Sequence, residues 1–510
     1  MVSALFGTLT VLGIYLLTKE LFAKNLEYGM WNMAEKEQNS KFKILNSELV
    51  ALLSSFFLAT SFWHINFSRI GFRAIMVPFF LVWSFFFLYR MLRALEEKAG
   101  SIKPELFSVI GGVLFGLGFH TYISYRLSPL LLISPFLLGW VQYKKGAAKK
   151  CTPCLLALFL FAALVAALPM GYYFLQHPED FVGRAGQVSA FAAEYPLRIV
   201  SMNIIKTIGM FFWHGDYNWR HNLAGEPQLW WPVSILLLVG LIIALKRVLT
   251  NPKHEMLNPK QIPSTQIPNP KSFGTRVSSP YFFLLLWLLI MSVPAIISSE
   301  GIPHALRTIG MIPPTMILAA IGFVWIAQFI NKWFRENIRK YPAQQNKLMR
   351  IRKEFLVLGT AILGITAFIN TQNYFRVWAY SPETSNAFSE PYTALGTQLV
   401  SLPKELPKYV IVNADGVEVR GIPMPAQSIM FVVGEGIAAR GIPTSRAITY
   451  ILPSEIKNLS SAKAPFVVAL LEEDPDLMKM LRTKISPYFI SISDKRFLWV
   501  TLPEKKMGDL

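Results

Sequence analysis

The chain has 510 residues, of which 53% are hydrophobic and 16% charged. Soluble globular proteins carry about 25% charged residues, so a long part of this chain does not meet water and an ordinary soluble enzyme is excluded. Its 50 Lys and Arg against 31 Asp and Glu leave a net charge of +19, which marks either a nucleic-acid surface or charge sorted along the chain by a membrane.

Apolar runs near the roughly 20 residues needed to cross a bilayer recur at 2–22, 48–64, 74–92, 105–121, 128–142, 153–175, 229–247, 280–299, 309–330 and 354–370, which predicts ten spans. The first run lacks a basic leader and a small-residue cleavage site, so it reads as a membrane helix and not as a signal peptide. One alternate set of loops (19–47, 90–104, 143–152, 246–279, 331–353) carries 27 Lys and Arg. The other set carries only Arg69, Arg73, Arg126, Arg184, Arg198, Lys206, Arg220 and Arg307, and the remaining 15 follow residue 371. The positive-inside rule therefore places both chain ends outside the cell (plasma) membrane. With acidic residues included, the net charge is +16 on the inner loops, +2 on the outer loops and +1 on the tail. The basicity is thus cytoplasmic anchoring, and no folded basic face is left for nucleic acid.

In chain order, the first outer segment holds His64, Asn66, Arg69 and Arg73, and the second holds His120, Tyr122, Tyr125 and Arg126. The C-T-P-C pair, Cys151 and Cys154, lies at a cytoplasmic helix end without a second ligand pair, so its spacing reads as incidental. Residues 176–205 are too polar to span and predict one or two amphipathic helices on the outer surface, able to gate a lipid substrate or simply to cover the bundle. The next outer loop is dense in function: Trp213, His214, Gly215, Asp216, Tyr217, Asn218, Trp219, Arg220, His221 and Asn222 follow one another. Residues 251–270 contain five prolines and predict a disordered cytoplasmic connector. The last outer loop carries Pro303, His304 and Arg307, and 331–353 predicts a basic, helical surface stretch.

Past residue 371, short apolar runs at 409–412, 429–433, 466–471 and 497–502 predict strands, with helical patches near 384–401 and 475–484. The expected architecture is a polytopic α-helical membrane domain over 1–371 followed by a small extracytoplasmic α/β domain over 372–510. That domain has no nucleophile elbow or metal motif, and is expected to serve acceptor docking, bracing of the outer loops or a merely structural lid. No glycine-rich phosphate loop follows a strand anywhere, which argues against a nucleotide-driven pump.

Six of the seven histidines fall on the outer side. Ionisable groups at a membrane boundary cost free energy unless paired or functional, so a shared outward cleft is expected. Arg69, Arg73, Arg126 and Arg307 stand at span ends, at the depth of a lipid-linked phosphate, and guanidinium binds phosphate oxygens bidentately; the competing role is snorkelling to headgroups. Asp216 is the one outer-loop acid set among aromatics and cations, placed either to act as a general base or to pair with Arg220. No carboxylate cluster points to a divalent metal, and no cofactor is indicated.

These residues resemble the GT-C superfamily of polyprenyl-phosphate-sugar-dependent glycosyltransferases, which contains protein O-mannosyltransferases, the aminoarabinose transferases of lipid A and bacterial Rgt-like transferases. The resemblance is carried by Ser3 to Gly7 running into Tyr15, Leu16, Leu17, Leu21 and Phe22; the His64 to Arg73 segment with Pro78; His120, Thr121, Tyr122, Tyr125, Arg126 and Pro129; Gly215, Asp216 and Asn222; Pro303, His304 and Arg307; and Tyr374, Phe375 and Trp378. It implies inverting transfer of a sugar from a polyprenyl-phosphate donor to a protein, lipid or glycan acceptor on the outer face. It further implies Arg126, His304 and Arg307 as holders of the donor phosphate, with His64, Arg69, Arg73, His120, Tyr122, His214 and Arg220 lining the cleft. The family's acidic base lies in a loop before its second helix, and Met1 to Ala4 stand where that helix begins; a misplaced start or gene fragment is expected, with a shortened paralogue of lost or rerouted catalysis as the alternative. The base is accordingly assigned to no residue, with Asp216 as the substitute candidate. The reading from another class is a transporter or flippase of lipid-linked sugars, and an inactive scaffold would share every one of these features.

Overall fold

The structure, a computed structural model, describes residues 1–22, 40–95, 103–144, 151–187, 189–249, 279–416 and most of 418–501. Its contacts divide the chain into two units, Met1–Ala379 and Tyr380–Leu510. The division falls after the expected 371/372 boundary because the last membrane helix continues through a π-turn, Asn373–Trp378, before it ends.

Among the described residues, seven helical segments are long and apolar enough to cross a membrane: Val2–Phe22, Arg73–Ala94, Ile123–Lys144, Thr152–Gln176, Trp231–Leu249, Ile309–Lys340 and Pro342–Trp378. An eighth is a pair, Ser47–Thr60 and Phe62–Arg69, bent by 58°. Two shorter apolar segments, Pro104–His120 and Pro280–Ile296, stand at the remaining expected positions. The chain is thus a polytopic α-helical membrane protein, as its hydropathy predicts.

We label the helices of this unit α1 (Val2–Phe22), α2 (Ser40–Thr60), α3 (Phe62–Arg69), α4 (Met76–Ala94), α5 (Pro104–Leu117), α6 (Ile133–Lys144), α7 (Thr152–Gln176), α8 (Pro178–Gln187), α9 (Pro196–Gly209), α10 (Trp231–Leu249), α11 (Pro280–Ile296), α12 (Ile312–Lys340) and α13 (Gln345–Gln372). The expected amphipathic segment 176–205 is α8 and α9, joined by a 3-10 turn at Ala190–Ala192. The basic stretch 331–353 is helical for most of its length, shared by the end of α12 and the start of α13. The proline-rich connector 251–270 lies outside the described residues.

Lipid tails are as apolar as leucine, so helices in a membrane associate through close packing and small residues. Ser108 on α5 donates to the Leu155 carbonyl on α7 at 2.6 Å, and Gly112 and Gly116 of α5 bring its backbone against α7 at Phe159 and Ala163. Helix α12 is the central member: most of its apolar stretch is buried, whereas α13 is exposed along nearly all of its own. Cys151 and Cys154, read from spacing as incidental, are joined by a disulfide at the start of α7, where Cys151 caps the helix by accepting from the Cys154 N–H.

In the second unit, five strands form a sheet in the order β4-β1-β5-β7-β6. These are β1 (Lys408–Ile411), β4 (Ile448–Ile451), β5 (Phe466–Leu470), β6 (Phe489–Asp494) and β7 (Phe497–Thr501), while β2 (Glu418–Val419) and β3 (Ile422–Pro423) make a separate ribbon. β1 lies parallel to both β4 and β5, and β7 is antiparallel to β5 and β6. Alternation along β5 separates two cores: Val467 and Ala469 pack with Leu395, Leu399 and Ile429, and Phe466, Val468 and Leu470 pack with Leu481. The apolar run 429–433, expected as a strand, lies in and at the end of the helix Ala426–Val432. Ile429 and Met430 bury against the sheet from that helix, and so short a run does not distinguish buried strand from buried helix.

Lys408 is buried to 1% exposure, its ammonium donating to the carbonyls of Pro403, Leu406 and Arg446 at 2.6, 2.8 and 3.2 Å. Lys408→Met keeps the stem and removes the donors, so it is expected to cost about 2–4 kcal/mol. Amide exchange measured on the full chain should then quicken in β1 and β4; exchange unchanged from wild type would contradict this role.

Candidate functional site

Three segments distant in sequence meet at one polar cluster. Helix α3 starts at Ser61, whose extended backbone breaks the α2 helix and turns the chain. The segment from His64, expected as a loop, is therefore helical to Arg69 and offers its face to the neighbouring loops: Asn66 Nδ2 donates to the Arg220 carbonyl at 3.0 Å, and Trp63 Nε1 to the Ala305 carbonyl at 3.1 Å.

The 213–226 loop is shaped by its own short-range bonds. Gly215 and Gly225 bring two strands of the loop together, with Gly215 N–H on the Gly225 carbonyl and Gly225 N–H on the Asp216 carbonyl. A Cβ at Gly215 would lie 2.1 Å from the Glu226 carbonyl oxygen, so only glycine fits there. Asp216 Oδ1 accepts from the Asn218 N–H at 2.8 Å, an Asx turn, and Asn222 Nδ2 ties the Asp216 and Glu226 carbonyls together.

Asp216 is buried, and its second oxygen is the centre of the cluster. Oδ2 accepts from the Ala305 N–H at 2.8 Å and lies 3.1 Å from His221 Nδ1 and 3.6 Å from His304 Nδ1. The two imidazole rings are 4.9 Å apart at 32°, and His221 also rests on Phe67 and Phe72. Burial is the main force on His304 and pushes its pKa down to about 4, against the opposing pull of Asp216. His304 is therefore neutral at pH 7. Its Nδ1 is buried and has no hydrogen-bond partner, as is also true of Asn66 Oδ1.

The loop carrying His304 is held from the other side by the α8–α9 segment. Ala190 N–H donates to the Ile297 carbonyl, and Asn203 Nδ2 donates to those of Ile296 and Ser298. Arg307 turns back onto this same loop and donates to Ser298 Oγ and to the Glu300 carbonyl.

Of the residues expected to share a cleft, the structure brings Asp216 and His304 together, with Arg220 and Arg307 on the same two loops. His214 also lies on the 213–226 loop, and the others lie elsewhere. His64 is buried with Nε2 on the Gly7 carbonyl of α1 at 3.1 Å. The Arg69 guanidinium lies over the rings of Tyr374 and Phe375, at 5.9 and 5.1 Å. Arg73 and His214 are exposed and Tyr122 is half-buried. His120 meets the Ala166 carbonyl at 2.9 Å and, with Pro169, Met170 and Tyr173, lines an open cavity of about 320 Å³. Arg126 lies over Phe174 and Phe181, at 4.7 and 4.3 Å, and donates to the Phe181 carbonyl; it fastens α8 to the bundle.

His221 is the member of the cluster that sequence reading left out of the cleft. The signal was present in its spacing, five residues after Asp216 in a loop dense with aromatics, but proximity to His304 arises only from the fold.

No protein-family model and no curated protein matches the sequence. Among solved structures, the chain is similar to the archaeal oligosaccharyltransferase AglB from Archaeoglobus fulgidus, in a complex with an inhibitory peptide and a dolichol-phosphate. That match has 12% identity and a TM-score of 0.41, covering 95% of this chain and 57% of that one. It is also similar to ArnT from Cupriavidus metallidurans bound to undecaprenyl phosphate, with 13% identity and a TM-score of 0.49 over 98% of this chain and 83% of that one.

Proposed function

We propose that this protein transfers a sugar from a polyprenyl-phosphate-linked donor to an acceptor on the outer face of the membrane. The observation that supports this reading most is a convergence: the His64 to Arg73, Gly215 to Asn222 and Pro303 to Arg307 motifs, which carry the sequence resemblance, pack together through Asn66, Trp63, Asp216 and Ala305. The distribution of Lys and Arg supports an extracytoplasmic location for this cluster.

In this reading, Arg307 and His304 face the donor phosphate. Fixed donors in a water-poor site stabilise the charge that grows on the departing phosphate more than they stabilise the bound donor. Asp216 already accepts hydrogen bonds at both oxygens; we assign it the positioning of the two loops, not proton abstraction. The acceptor is a hydroxyl or amine of a protein, lipid or glycan.

The test is donor binding by the purified chain in lipid vesicles. A charge-assisted hydrogen bond contributes about 1.5–3 kcal/mol, so Arg307→Ala should weaken donor binding roughly 10-fold to 100-fold. Lys332→Ala, which removes a cytoplasmic-end residue paired with Glu336, should leave binding unchanged. Equal effects of the two would remove the phosphate assignment.

A further inference from the structure

We propose that Asp216, His221 and His304 form a binding site for a divalent transition metal of the zinc type. The inference stands apart from the sugar-transfer reading, because it rests on the donor set alone.

One ligand atom of each residue lies within 4.8 Å of the others. From Asp216 Oδ2, the separations to the two Nδ1 atoms are 3.1 and 3.6 Å. Ligands about 2.0–2.1 Å from a tetrahedral zinc lie roughly 3.3 Å from one another, so the observed distances bracket what one shared ion requires. The Asp216–His221 pair is accounted for by an ordinary hydrogen bond. His304 is not: its Nδ1 is buried, without a partner, and 3.6 Å from the carboxylate. A buried ring nitrogen left without a hydrogen bond is costly, and an ion between it and Oδ2 would satisfy both.

The surroundings fit the same role. Ligating carboxylates are usually held by a further hydrogen bond, and Asp216 Oδ2 has one from the Ala305 N–H. Two nitrogens and one carboxylate select a zinc-type ion over magnesium or calcium, which take oxygen donors. Three protein ligands leave a fourth position for water or a ligand oxygen. The ion would join the 213–226 loop to the 303–307 loop.

The experiment uses the full chain purified without a polyhistidine tag and dialysed against zinc, with the metal quantified by mass spectrometry and its neighbours read by X-ray absorption. The expected result is a single bound zinc with only nitrogen and oxygen ligands at about 2.0–2.1 Å, two of them imidazoles. His221→Ala and His304→Ala should each lose the metal. Folded wild-type chain that takes up no zinc overturns the proposal, as does sulfur in the coordination sphere, which none of the three residues can supply. Metal retained by both folded variants overturns it too. If the variants do not fold, the wild-type absorption spectrum alone decides.

Discussion

Gly322→Val on α12, or Gly240→Val on the facing α10, is expected to force the two helices apart and to destabilise the membrane unit. The two glycines make a reciprocal contact. A Cβ at Gly240 would lie 1.9 Å from the Leu318 carbonyl oxygen, and one at Gly322 would lie 2.0 Å from that of Leu236. These are backbone atoms, so no rotamer change relieves the clash, and the helices must separate by more than an ångström. Helix α12 is buried along most of its apolar stretch, so the shift loosens the contacts of its whole length. Overpacking a well-filled core costs about 1–3 kcal/mol and at times more; a branched side chain against rigid backbone should lie at or above the top of that range. Thermal unfolding in detergent checks this. Gly364→Val and Gly171→Val, at positions where nothing lies within 4 Å, should unfold close to wild type. Equal losses at all four positions would show that the close approach of α10 and α12 does not hold the unit together.

Asp216→Ala is expected to free the 213–226 and 303–307 loops from one another. It removes the acceptors of the Asn218 and Ala305 N–H groups and the partner of His221, and the last two of these are buried. Each buried donor left without an acceptor costs about 1–3 kcal/mol, so a loss of roughly 3–5 kcal/mol is expected. Asp216→Asn keeps an acceptor oxygen and should lose about half as much. Glu226→Ala, an exposed acid in the same loop, is the control. Limited proteolysis and amide exchange at 213–226 and 303–307 provide the readout. Protection in Asp216→Ala equal to that in Glu226→Ala would contradict the anchoring role.

Much of this architecture was legible because a membrane writes itself into sequence by length. Runs of apolar residues near span length, and loops sorted by Lys and Arg, need no tertiary information: of the ten predicted spans, seven coincide with helices long and apolar enough to cross a membrane, one with a bent pair and two with shorter apolar helices. Where local pattern competes with packing, reading fails. His64 to Arg69 is polar enough to look like a loop, yet it is a helix, because its polar residues find carbonyls in α1 and in the 213–226 loop. The run 429–433 has the composition of a strand and buries from a helix. The arginines show a different limit. Position at a span end selected Arg126 and Arg307 as candidates, but whether a guanidinium meets a ligand or its own chain depends on neighbours far away in sequence, such as Phe181 for Arg126. His221 was missed for the same reason: its partner His304 is supplied by another loop.

The most direct measurement is photo-crosslinking of the folded chain with a short polyprenyl-phosphate sugar that carries the photoreactive group beside its phosphate, followed by mapping of the labelled peptides. Labelling within 213–226 and 303–311, competed by unlabelled polyprenyl phosphate and reduced in Arg307→Ala, is the predicted result. Labelling that is not competed, or that falls only on the stretch 331–353, would contradict a donor site at the Asp216–His221–His304 cluster.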